Sequence, residues 1–500
     1  MLGYKNGERN VHVYKFRKDR VPPMHLRKFL VFLILLFLTL IFISAVTESK
    51  ESGEAIMNTP PDFIFYNGPI LTMELNSSNV EAVAVQGDII SAVGNEKDII
   101  SLGGANTLTI DLEGETLLPG FIDSHSHWIG DRNLVNISDS NDVIEILVQN
   151  GWTSISELFV DGGWYQGRLD ELQLLDHQGN LTIRVNAYLP LSWQFERFGN
   201  WYQTYKPGYE FSSKLRIGGV KIFMDRWYTQ WTHYFNQSEL ETLVQEAHDL
   251  GYQIAIHSVV DNATDIVLNA LETVLAEESN EFYRHRIEHL VLLRDDQIQR
   301  MKNLGIIASF QLSWVNSDWI TLESFPYLEN YSHLAGRWRD ILEAGVPAIG
   351  STDFPYNYGE MKSPLKYISR AVTRVGELGL QPTNWMLNQT LSVEQALRLL
   401  TIDAAYGTFQ ENIKGSIKEG KLADLVVLSD NPLTVSKSSL TDLKVLMTMI
   451  GGIIEYLSPD QSLRMSTRSS SVTTPFIPIG MALIPLIILG MLKLNRIQKY

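Results

Sequence analysis

The sequence predicts an α/β protein: a (β/α)8 TIM barrel joined to a small β-sandwich built from both ends of the core region, with a transmembrane segment on either flank. Three observations carry that expectation. Apolar strand-like runs alternate with helical stretches eight times within residues 121–410. Short β-type runs, punctuated by Gly and Asn, lie before and after that stretch. Two long apolar runs with basic outer flanks bracket the whole.

Taken in order, residues 1–28 hold eight Lys or Arg against Glu8 and Asp19, a net +6 that reads as a basic cytoplasmic tail. Residues 29–46 are apolar apart from Thr39 and Ser44 and are long enough to cross a bilayer, as a signal anchor or as a cleaved signal peptide. Residues 476–492 form a second apolar run, read as a transmembrane segment although Pro478, Gly480, Pro485 and Gly490 interrupt it; a hydrophobic tail packed on the domain is the other reading. Lys493, Arg496 and Lys499 follow it. With both basic ends removed from the total of −16, the remainder carries −25. The positive-inside tendency then places both termini in the cytoplasm and the catalytic body outside, anchored to the membrane.

The acidic balance argues against a nucleic-acid partner. Cysteine is absent, which excludes disulfides and thiolate sites and leaves His, carboxylates or a modified side chain to bind any metal. Asn-x-Ser/Thr triplets at Asn76, Asn136, Asn180, Asn236, Asn262, Asn330 and Asn388 would accept glycans in a secretory setting.

Residues 62–120 give the first part of the sandwich, with runs such as Phe63-Ile64-Phe65-Tyr66 and Thr107-Leu108-Thr109-Ile110. Residues 411–456 give the second, with Ala423-Asp424-Leu425-Val426-Val427-Leu428 and Gly452-Ile453-Ile454-Glu455-Tyr456. Residues 457–475, rich in Ser and Thr, read as a linker. Within 121–410 the strand that carries His125 is followed by seven more, beginning near Thr153, Ile183, Gly219, Gln253, His285, Ile306 and Ala348.

Polar residues mark the ends of those strands. His125 and His127 stand two apart, so in a strand both imidazoles face one way and can share a metal ion. Taken alone, such a pair is more often surface or packing histidines than metal ligands. Lys221 lies in the fourth strand, His257 ends the fifth, His289 ends the sixth and Asp353 follows the eighth. A TIM barrel gathers such ends at one rim. Asp261 and Asp265, just after His257, read as helix-start residues.

This set, in this order, resembles the amidohydrolase superfamily, nearest its family 3 or YtcJ-like branch. The resemblance rests on Pro119-Gly120-Phe121-Ile122-Asp123-Ser124-His125-Ser126-His127, Gly218-Gly219-Val220-Lys221-Ile222-Phe223-Met224-Asp225, Ile256-His257-Ser258, Arg286-Ile287-Glu288-His289, Gly350-Ser351-Thr352-Asp353-Phe354-Pro355 and Gly420-Lys421-Leu422-Ala423-Asp424-Leu425-Val426. It implies one or two divalent ions: His125, His127 and Asp353 on one, His257 and His289 on a second, with a carbamate on Lys221 bridging them. Zinc is the default, and manganese or iron also suits a site without sulfur.

The activity implied is hydrolysis of a C–N bond in a small amide, formamide or cyclic amide by a metal-activated hydroxide, with Asp353 as the catalytic proton carrier. An ester or phosphoester hydrolase, or a surface binding protein that keeps the barrel without turnover, is the alternative; oligomerisation is left open. Two features depart from the branch. Its long insertion after the first strand is absent, since only about two dozen residues separate His127 from Gly151-Trp152-Thr153. Asp225 is followed by Arg226-Trp227 where small residues are usual, and bulky Trp227, Tyr228 and Trp231, like Trp128, either line an aromatic mouth or pack the loops.

Overall fold

The computed structural model describes residues 59–75, 80–161, 167–193, 196–197, 203–225, 233–276, 279–318, 330–356 and 362–467. Eight parallel strands make the central sheet: β1 Phe121–Ser126, β2 Trp152–Leu158, β3 Arg184–Pro190, β4 Leu215–Phe223, β5 Ile254–Ser258, β6 Arg286–His289, β7 Ile307–Gln311 and β8 Ala348–Ser351. Each pairs with its neighbours in sequence from β1 to β8. The first and last meet where Ser124 Oγ donates to Gly350 O at 2.5 Å and Asp353 N to His125 O at 2.8 Å, which brings the barrel close to closure. Every residue of β1, β2, β3, β5, β6 and β7 is buried, as expected of parallel strands covered on both faces.

Amphipathic helices, including Ser140–Gln149, Gln237–Asp249, Asp261–Val274 and Pro364–Thr373, cover the outside. Their starts follow local chemistry. Asn236 accepts from Glu239 N while the Glu239 side chain takes Asn236 N, a capping box that satisfies two otherwise orphaned amides. The register of β4 against β3 shifts between Ile217 and Gly219. A Cβ at Gly219 would lie 2.5 Å from Gln253 O and 2.8 Å from the Tyr188 ring, so only glycine lets the strands approach there. Two residues later Lys221 is fully buried, its Nζ 4.9 Å from the Phe223 ring centroid.

Two smaller sheets flank the barrel sequence. One runs in the order Arg464–Thr467, Leu108–Asp111, Phe63–Tyr66, Ala82–Gln86, Ile89–Gly94, and the other Ile453–Leu457, Val445–Ile450, Leu425–Leu428, Thr116–Pro119. Phe65, Val83, Val85 and Ile110 of the first share a core with Leu117, Leu425, Val427 and Met447 of the second. Arg464–Thr467 falls in the stretch read as a linker; it forms a largely exposed edge strand antiparallel to Leu108–Asp111, with only Met465 partly buried against the core.

The expectation of flanking transmembrane segments is corrected. Among the described residues no helix is long and apolar enough to cross a membrane. The longest there, Asp261–Val274, has 14 residues, against the roughly 20 that a bilayer requires. Residues 29–46 and 476–492, on which that expectation rested, lie outside the described residues, as do the basic ends. The membrane-anchored, extracytoplasmic placement is withdrawn with it.

Candidate metal centre

The carboxyl ends of the strands converge on a buried cluster of imidazoles. His125 ends β1 but for Ser126, and His127 lies one residue beyond the strand. Their rings sit 5.5 Å apart, and His125 Nε2 and His127 Nε2 lie 3.4 and 3.3 Å from Asp353 Oδ1. Asp353 is held at φ +55° just after β8, so its carboxylate is delivered by a strained left-handed residue whose amide is bound to His125 O. One potential ligand atom from each of His125, His127 and Asp353 lies within 4.8 Å of the others, and all three residues are buried.

The remaining expected residues surround this triad. The His289 ring is 5.0 Å from that of His125 and 4.3 Å from that of His257. Lys221 Nζ, fully buried, has no hydrogen-bond partner. His125 Nε2 and His257 Nε2 are buried without one as well, although the latter lies 3.3 Å from Asp225 Oδ1. Asp261 and Asp265 stand apart from the cluster: Asp261 opens the helix Asp261–Val274, and both pair with Arg294 at 3.0 and 2.7 Å. Trp128 is buried and stacks on Phe354 at 3.6 Å. Trp227, Tyr228 and Trp231 lie outside the described residues.

Several contributors were not singled out from the sequence. Glu288 Oε2 lies 2.5 Å from His125 Nδ1, Gln311 Oε1 accepts from His289 Nδ1 at 2.8 Å, and Asp225 accepts the amides of Val259 and Val260 at 2.9–3.1 Å. Asp131 Oδ2 lies 3.8 Å from His127 Nδ1 and accepts from Tyr356 OH at 3.0 Å. Glu157 accepts the amides of Ile129 and Gly130, fixing the loop after the histidine pair. A signal existed for two of these: Asp131 is four residues after His127, and strand alternation puts Glu288 on the same face as Arg286.

Burial governs the charge states. It holds His125, His257 and His289 well below the usual imidazole range, with Lys221 reinforcing the effect, so each is neutral and offers a lone pair. Burial also lowers Lys221 to about 8 and raises Asp353 above the ordinary carboxylate range. His127 differs: burial pulls it down, but the hydrogen bond and charge of Asp353 raise it overall. Neutral imidazoles, a carboxylate and unpartnered buried nitrogens suit a divalent cation that accepts N and O ligands.

Residues 141–456, more than half the chain, match the family model described as the amidohydrolase family. The chain belongs to amidohydrolase family 3. That match begins after the histidine pair, so His125 and His127 enter on their geometry. Among curated relatives of this amidohydrolase, the N-substituted formamide deformylase of Arthrobacter pascens is 33% identical over 261 residues, 48% of this chain and 46% of that protein. The putative amidohydrolase YtcJ of Bacillus subtilis is 29% identical over 223 residues, 43% of this chain and 40% of that one. The matches thus span less than half the length of these two relatives. An uncharacterized metal-dependent hydrolase from Pyrococcus horikoshii shares the fold, with a TM-score of 0.62 at 21% identity over 75% of this chain and 99% of that one.

Proposed function

We propose that this amidohydrolase is a metal-dependent hydrolase of a C–N bond in a small amide, formamide or cyclic amide. The observation that carries the reading is the buried convergence of His125, His127 and Asp353 at the carboxyl rim of the barrel. Those three would hold one divalent ion and His257 with His289 a second. Zinc is the first choice for the N/O donor set, with manganese or iron as alternatives. Such an ion supplies Lewis acidity, lowering the pKa of water and polarising a substrate carbonyl.

Lys221, buried with its Nζ unpartnered, would join the centre in a modified form. An ammonium cannot ligate, but burial brings its amine to about 8, so a useful fraction is neutral near pH 7. The neutral nitrogen can attack carbon dioxide, forming an N–C bond and losing a proton to give a two-oxygen anionic carbamate. Asp353, with its raised proton affinity, takes the proton of the attacking water and returns it to the leaving nitrogen, so that amide and water become acid and amine. The formamide relative supports including formamides among the substrates.

The test combines metal analysis with a hydrolysis screen of the full chain against amides, N-formyl amines, hydantoin-like rings and esters. Hydrolysis of a C–N substrate that disappears with chelator and returns with zinc is expected. Failure to bind metal and to hydrolyse any of them, with zinc, manganese and bicarbonate supplied, would refute the reading; turnover of esters alone would move it to the ester class.

A further inference from the structure

Arg286 and Glu288, two residues apart on β6, share one strand face and are both completely buried. Glu288 is gripped by Arg286, whose Nε donates to Oε1 and whose Nη2 donates to Oε2 at 2.8 Å. The same guanidinium donates to Ser124 O on β1 at 2.8 Å and to Ser309 Oγ on β7 at 3.1 Å. One carboxylate is therefore fixed with respect to three strands. Its free interaction runs to His125, with Oε2 2.5 Å from Nδ1.

We propose that Glu288, locked by Arg286, is a positioning residue that fixes His125 as the Nδ1–H tautomer and aims its Nε2 lone pair into the metal centre. This rests on the metal-centre reading above. A neutral imidazole has one N–H, and an ionised carboxylate can only accept, so the proton resides on Nδ1. Nε2 is then a lone pair, and it is this atom that is buried without a hydrogen-bond partner, 3.4 Å from Asp353 Oδ1. The two charge-assisted hydrogen bonds from the Arg286 fork favour the ionised carboxylate. Without the carboxylate the ring would exchange tautomers and rotate, and the ligand nitrogen would be correctly placed only part of the time. Such outer partners typically change metal affinity by about 10- to 100-fold.

The experiment compares Co2+ binding and the visible Co2+ absorption of the full chain in three forms. Wild type and His125→Ala establish whether His125 is a ligand at all. The double variant Arg286→Met with Glu288→Met replaces the buried pair by apolar side chains of similar length, so no charge is stranded. The expected result is weaker Co2+ binding by about 10- to 100-fold, with a changed absorption spectrum, in a double variant that melts like wild type. Unchanged affinity and spectrum in the double variant, with binding lost in His125→Ala, would overturn the positioning role and leave the metal centre standing. Wild-type binding by His125→Ala would overturn both. If the double variant does not fold, nitrogen-15 spectra of metal-free, histidine-labelled wild type decide: His125 shows Nδ1–H if the proposal holds and Nε2–H if it fails.

Discussion

Replacing Asp424 by Asn tests how the barrel is tied to the second small sheet. Asp424 lies just before Leu425–Leu428, and its two oxygens accept Arg184 Nε and Nη2 from β3 at 2.7 and 2.8 Å, while Oδ1 also accepts Gly451 N at 2.8 Å. The pair is almost wholly buried, at 7% and 3% side-chain exposure. Asn keeps the size but removes the charge and one acceptor, stranding the Arg184 guanidinium at a cost of about 3–5 kcal/mol. With an unfolding entropy of about 2.1 cal/mol/K per residue over about 400 cooperatively folded residues, 4 kcal/mol lowers the melting temperature by about 5 °C.

The pH dependence follows from the sign of the shift. Burial raises the Asp424 carboxyl, but Arg184 more than compensates, and the folded value lies below the ordinary one. Its contribution is therefore complete above the unfolded value of about 3.9 and is lost as pH falls through the folded value. Differential scanning calorimetry at a series of pH values should show the wild-type advantage constant from pH 7 to about 5 and narrowing below about 4. Adding Arg184→Met should recover part of the loss, because the stranded cation is gone. An Asp424→Asn protein that melts with wild type at pH 7 would show that the Arg184–Asp424 pair does not stabilise the fold.

Three further predictions concern the site and its frame. Asp353→Asn should lower kcat by about 10²- to 10⁴-fold, as removal of a proton carrier does, measured on whichever substrate the screen identifies; wild-type turnover would contradict the assignment. Lys221→Ala should abolish metal-dependent turnover, and acetate or another short carboxylate should restore part of it by supplying the missing oxygens, whereas a variant as active as wild type would remove Lys221 from the centre. Arg374 is buried, stacks on Trp338 at 3.5 Å and donates to the carbonyls of Val315, Gly336 and Gln389. Arg374→Met should therefore cost about 2–4 kcal/mol by leaving those acceptors unpaired, and an unchanged denaturation midpoint would contradict that.

The barrel was legible because a strand buried on both faces must be a continuous apolar run, and most strand starts fall within a residue or two of the expected ones. Strand β4 is the exception: it begins at Leu215, where Arg216 and the Gly218-Gly219 bulge break the pattern. The meeting of His125, His127 and Asp353 was legible because strand ends share a rim. What surrounds them was not, since Glu288, Asp131 and Gln311 take their meaning from partners 163, 4 and 22 residues away. Only the nearest of these spacings is visible in sequence. The membrane expectation was drawn from composition at the ends of the chain, and hydropathy there says nothing of the body between them.

Binding of a metal ion by His125, His127 and Asp353 at the carboxyl rim of the barrel is what the proposed function requires. The most direct measurement is anomalous X-ray scattering at the zinc edge from crystals of the full chain equilibrated with zinc. A peak bonded to His125 Nε2, His127 and Asp353 is the predicted result. A map with no peak among these three residues, at zinc concentrations that support turnover, would contradict it.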